Sequence, residues 1–169
     1  QGYKEDCLDV LDTMVGDMHN GDFAGSASAE VAADAPLWFF WTLQQLEKHI
    51  GAKAIWERYG EAMKSILEAY KRGFGDKVKL HDNGLIWAAA YGESLTWMDT
   101  KVDGEPVAQR AGYAVEIEAL WYNAVSYTLA LARKMKDKAF VEAWSEIPAK
   151  TKESFISKFW LEEGYLADY

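Results

Sequence analysis

An all-α domain of paired helices with one small β-hairpin is predicted for this chain, on three observations. Apolar residues recur every three or four positions through several long segments, the spacing of amphipathic helices. Asp, Pro and Gly stand where helices should begin and end. One short patch alternates instead, around a central Asp82-Asn83-Gly84. At 169 residues, positions 1–169 read as a single domain.

Taken in order, residues 4–18 pair Cys7 with Leu8, Val10 with Leu11 and Met14 with Val15, which predicts the first helix. A Gly-containing loop then runs toward Ala33, long enough to suggest a functional role. The next helix carries its own punctuation: Asp34 as a cap, Pro36 in the first turn and Gly51 at the end. Its N-terminal half, "PLWFFW", is apolar nearly all round, so burial on several sides is expected. Residues 52–73 continue in helical period through Ile55, Tyr59, Met63, Ile66 and Tyr70, with a possible break at Gly60. "VKLHDNGLIWAAA" changes character and predicts short strands at 78–80 and 85–88 joined by a tight turn. From Val115 a long helix buries Ile117, Leu120, Trp121, Ala124, Val125, Leu129 and Leu131. Basic residues stand in its last turns, where they suit the dipole. A last helical region spans 137–160 with a restart at Pro148, and "EEGYLADY" reads as an extended exit.

Charge and composition exclude several function classes. Eighteen basic against 27 acidic residues give a net charge of −9, which repels phosphate backbones and anionic lipid surfaces. The longest apolar run, "APLWFFW", is far short of the roughly 20 residues that span a bilayer. Neither a nucleic-acid nor a membrane partner is expected. Cys7 is the only cysteine, so no internal disulfide forms, and His19, His49 and His81 lack ligand spacing on a common helix face. With no phosphate-cradling glycine motif, no nucleophile elbow, no CxxC and no HExxH, no cofactor and no metal is expected. The remaining chemistry is that of carboxylates and aromatics. Eight Trp, nine Tyr and seven Phe suit either a core or a pocket that stacks on sugar rings.

Candidate functional residues cluster after the hairpin. Asp99 follows Trp97 and Met98 in a stretch rich in Gly and Asp, and by itself it reads first as a solvated turn aspartate and only second as a site residue. Glu116 and Asn123 share a helix face with Tyr127 below them. A polar pair on a mostly apolar helix needs partners or is costly. Arg110 can grip a carboxylate with its planar fork, or form an ordinary surface ion pair.

Three blocks, "ADAPLWFFWTLQQL", "HDNGLIWAAAYGESLTWMDTKV" and "RAGYAVEIEALWYNAV", resemble in order and spacing the signature blocks of the amylo-α-1,6-glucosidase domain of glycogen debranching enzymes. The resemblance implies part of an (α/α)6 toroid and hydrolysis of α-1,6-linked glucose with inversion. It implies that Asp99 of "TWMD" is the general acid, and that Asp34, Trp38, Trp97, Lys101, Arg110, Glu116 and Asn123 line or brace the glucose pocket. Departures from the family pattern are Ala32-Ala33 for Thr-Val, Tyr113-Ala114 for Lys-Pro, and Glu118 for Asn. The family's upstream Gly-Arg-Asp block and downstream Arg-Pro-Asn-Gln block have no counterpart here. The chain is therefore expected to be the middle of the barrel, with the general base supplied from outside it. The implied partners are a glucan and either the rest of the barrel or a second copy meeting exposed helix faces. Two other readings stay open: another (α/α)6 glycosidase of invertase or trehalase type, and a carbohydrate-binding scaffold without chemistry.

Overall fold

The structure is a computed structural model that describes residues 3–19, 21, 23, 32–98 and 100–169. Six helices and two small hairpins follow in the order α1 (Lys4–Gly16), α2 (Ala35–Ile50), α3 (Ala52–Arg72), β1 (Val78–Leu80), β2 (Ile86–Ala88), β3 (Lys101–Val102), β4 (Glu105–Pro106), α4 (Val115–Met135), α5 (Lys138–Trp144) and α6 (Ile147–Phe159). The fold is all-α with small antiparallel additions, as the sequence predicts.

The core is where α2, α3 and α4 meet. Leu37, Phe40 and Leu43 of α2, Ile55, Met63 and Ile66 of α3, and Ile117, Trp121 and Val125 of α4 are sealed from solvent. Each such side chain contributes about 1.5–3 kcal/mol through burial, which outweighs helix propensity in fixing these helices. Helix α3 runs unbroken through Gly60, because Trp56 packs over the missing side chain at 3.1 Å from where a Cβ would stand. Restart at Pro148 is observed: α5 ends at Trp144 and α6 begins at Ile147 with proline in its first turn.

Helices α2 and α4 run parallel. Gln44 and Asn123 exchange amide hydrogen bonds at 2.9 and 3.3 Å, and further along both helices Lys134 pairs with Glu47. Helix α3 returns between their ends. Asp12 of α1 accepts from Arg58 Nε at 2.8 Å and from the Tyr59 hydroxyl at 2.9 Å on α3. These bonds hold the Asp12 carboxyl below its usual range.

Three local expectations are corrected. Asp34 occupies the N-cap position of α2, but its side chain makes no capping bond; its backbone carbonyl accepts from Leu37 and Trp38 instead. Helix α2 is not buried all round, since Trp38 and Trp41 are 47% and 48% exposed and meet edge-on at 6.1 Å. The expected tight β1–β2 turn is a three-residue one around Asp82-Asn83-Gly84. His81 and Leu85 continue the ladder, and Gly84, at φ 83°, closes a three-residue loop by donating to the His81 carbonyl. The C-terminal segment does not exit but folds back: Ala167 donates to Phe159 and Val115 donates to Asp168, both through the backbone. The β3–β4 hairpin, turned by Asp103 and Gly104 at positive φ, was not anticipated.

Candidate active site

The parallel start of α2 and α4 builds one end of the molecule. The N–H of Ala33, just ahead of α2, donates to the Leu95 carbonyl at 2.8 Å, and the Tyr70 hydroxyl donates to the Ala33 carbonyl at 2.6 Å. This ties Asp34 and Trp38 to the segment that carries Thr96 and Trp97. Thr96 Oγ1 in turn lies 3.5 Å from Arg110 Nη1, and Arg110 grips Glu116 in the first turn of α4. Five of the sequence-predicted residues, Asp34, Trp38, Trp97, Arg110 and Glu116, thus fall on segments that meet at one end.

Arg110 is the organising cation. Its side chain is 7% exposed, and its guanidinium donates to both oxygens of Glu116 and to both of Asp168, the latter at 2.8 Å each. It also donates to the Asp168 backbone carbonyl at 3.2 Å. A planar five-donor fork can meet two carboxylates at once, which a lysine cannot. The Glu116 bonds, followed by those of Asp168, hold the guanidinium above its ordinary value against the opposing effect of burial. Arg110 adopts φ 35°, a left-handed conformation that costs a non-glycine residue about 1–2 kcal/mol and persists because the clamp fixes it.

The loop from Ala90 to Arg110 is cross-braced. Lys77 Nζ reaches Glu93 at 2.6 Å, and Gln109 donates to the Ala90 carbonyl at 2.8 Å. The Ser94 hydroxyl donates to the Met98 carbonyl, and Val107 donates to the Thr100 carbonyl at 2.9 Å. Both sequence neighbours of Asp99 are therefore anchored; Asp99 itself lies outside the described residues, as does most of the loop after His19. Trp97 is 63% exposed, so its indole is open to solvent. Lys101 is exposed on β3. Asn123 gives its amide to Gln44, two turns into the helices, and acts there as a brace between α2 and α4.

Sequence reasoning missed Asp168, Thr96 and Ser94 as partners, and it met Glu118 only as a departure from the family pattern. Glu118 is fully buried, and its two oxygens lie 3.0 and 3.1 Å from one donor, the Ile86 N–H. Burial raises its pKa to about 8, helped by the nearby Glu116 charge and opposed by the Ile86 bond. Among the described residues no group of His, Cys, Asp and Glu is arranged to hold a metal, and no helix is long and apolar enough to cross a membrane.

Comparison with curated proteins returns no match. A family model described as amylo-alpha-1,6-glucosidase matches residues 15–169, from the end of α1 through the Asp168 clamp. The chain belongs to the amylo-alpha-1,6-glucosidase family.

Proposed function

We propose that this chain carries the acid-bearing part of a pocket that hydrolyses α-1,6-linked glucose in glycogen or limit dextrin, with inversion. The observation that carries the reading is the meeting of the Asp34 end of α2, the Thr96-Trp97 segment and the Arg110–Glu116 clamp at one end of a parallel helix pair. Parallel inner helices whose starting ends share a pocket are what an (α/α)6 toroid of helix pairs requires. In the reaction Asp99 protonates the leaving glycosidic oxygen while a second carboxylate, roughly 6.5–9.5 Å away, activates water on the opposite face of the sugar. Trp97 and Trp38 offer ring faces to the pyranose, Asp34 and Lys101 bond its hydroxyls, and Arg110 with Glu116 and Asn123 hold the walls.

No residue of this chain is assigned as the base. Of the described acids around the site, Glu116 is held by Arg110 and Glu93 by Lys77, so neither is at liberty to activate water. The 169-residue chain alone is expected to release no glucose from limit dextrin. In an active protein bearing this sequence, Asp99→Asn should abolish turnover with saccharide binding retained, and the first product should be β-glucose by polarimetry. Unchanged turnover in Asp99→Asn would sink the assignment.

The half-exposed Trp41, with exposed Val10 on α1, leaves an apolar face that favours association with further helices of a barrel or with a second copy. Light scattering over a concentration series should show self-association of the chain. A monomer throughout would count against it.

A further inference from the structure

We propose that the pocket between the β1–β2 hairpin and Tyr113 binds a pyranose unit of an oligosaccharide, as a second sugar site beside the glucosidase pocket. The proposal rests on the glucosidase reading for its substrate class. The pocket is an open depression of about 450 Å³ lined by Lys79, Leu80, His81, Asp82, Asn83 and Tyr113.

Its polar groups are ordered in advance. Asn83 Nδ2 donates to the Tyr113 hydroxyl at 3.2 Å, and the same hydroxyl bonds His81 Nδ1 at 2.8 Å. His81 Nε2 is a hydrogen-bonding nitrogen in either tautomer, and a sugar hydroxyl, donor and acceptor at once, can meet either. The His81 ring stacks on Trp87 at 5.6 Å and 11°, and Tyr113 meets both rings edge-on. Aromatic surface, an imidazole nitrogen, the Asp82 acceptor and the Lys79 donor together match a sugar, which presents an apolar ring face and a rim of hydroxyls. An anion fits less well. The Asp82 carboxylate lines the same wall and repels it, while the Lys158 ammonium is already over the Tyr113 ring at 5.6 Å.

Position links the pocket to the candidate active site. Gly112 and Ala88 exchange two backbone hydrogen bonds of 2.9 Å, which join the Arg110–Glu116 segment to the hairpin. Tyr113 lies midway between Arg110 and Glu116 in the sequence.

The test is titration of the 169-residue chain with maltotriose and panose, followed by tryptophan fluorescence and calorimetry, with inorganic phosphate as a parallel arm. Tyr113→Ala should weaken saccharide binding about tenfold, the effect of losing one good hydrogen bond and a ring contact, and His81→Ala should weaken it by a similar factor. Circular dichroism checks folding; if Tyr113→Ala misfolds, Asp82→Ala at the exposed rim and Tyr113→Phe carry the same expectation. Affinity unchanged in these variants but lost in Trp97→Ala would overturn the second site and leave the glucosidase reading standing. Phosphate binding in place of saccharide would overturn the ligand class. Absence of any saccharide binding would also overturn the proposal, while the glucosidase reading would still be decided by the Asp99→Asn turnover assay.

Discussion

Arg110 meets Glu116 fork to fork, with Nη2 2.6 Å from Oε2 and Nη1 bonded to Oε1, while the far side of the same guanidinium holds Asp168. The start of α4, the loop after Trp97 and the last residues of the chain are thereby joined at one buried cation. Removing it strands a half-buried carboxylate. Arg110→Ala should cost about 3 kcal/mol, and Arg110→Lys about 1.5–3 kcal/mol, because an ammonium cannot span both acids. Asp168→Asn should cost under about 1 kcal/mol, since the Asp168 side chain is 64% exposed and its pairing is screened. Urea unfolding of the three variants checks the ranking; equal midpoints for Arg110→Lys and the parent chain would refute the clamp.

Glu118 should make the chain less stable as pH rises. Its pKa in the folded chain is about 8, against 4.5 for an ordinary glutamate, so between these values the folded form binds the proton that the unfolded form has lost. The sign follows: this group's contribution is full below about 4.5, declines by up to about 1.4 kcal/mol per pH unit as pH rises, and levels off above about 8. Asp137 acts oppositely. Phe140 N–H caps its carboxylate and Lys64 assists, so its pKa is lowered and its contribution fades as pH falls through the acid range. Glu118→Gln keeps an acceptor for Ile86 and removes the ionisation. Thermal midpoints of variant and parent should coincide near pH 5 and separate by pH 9, with the variant the more stable.

The fold was legible where one physical signal dominates. Helices α1, α2, α3 and α4 follow from apolar spacing, because burial of Leu37, Ile66 or Trp121 decides their faces. Pro148 marked a restart for the reason proline always does, a ring that clashes with the preceding turn. The chain ends of the clamp were not legible. "GYLADY" has no periodicity, and only tertiary contact reveals that Asp168 returns to Arg110 and that Val115 donates to its carbonyl. The exposed Trp38 and Trp41 misled for a related reason: apolar character sets which residues gain from burial, but not whether a neighbour is present.

Asn123 and Gln44 set the parallel register of α2 and α4. Each amide donates one bond and accepts one, so truncating either leaves the other half-satisfied in a partly buried place. Asn123→Ala should cost about 1–2 kcal/mol. Asn123→Ala combined with Gln44→Ala should cost less than the sum of the two, because the second truncation removes the group the first one stranded. Four-way comparison of unfolding midpoints measures the coupling, and strict additivity would show that the amides act independently.

Gly84 should be the least replaceable residue of the hairpin. Its φ of 83° is one that a side chain disfavours, and an added Cβ would stand 3.0 Å from the Thr151 backbone nitrogen and 3.2 Å from the Lys150 carbonyl carbon. Neither is the free end of a flexible chain, so α6 itself would have to shift. Its carbonyl also accepts from Thr151 Oγ1 at 2.7 Å and from Trp121 Nε1 at 3.2 Å, which docks the hairpin on α6 and α4 together. Gly84→Ala should therefore destabilise by about 2–3 kcal/mol, summing left-handed strain with loss of these contacts. Gly104→Ala, at φ 86° but with open space around the β3–β4 turn, bears the strain alone and should cost about 1 kcal/mol. Denaturant titration of both variants separates the two effects: a cost at Gly84 no larger than at Gly104 would mean that packing against α6 does not constrain the hairpin.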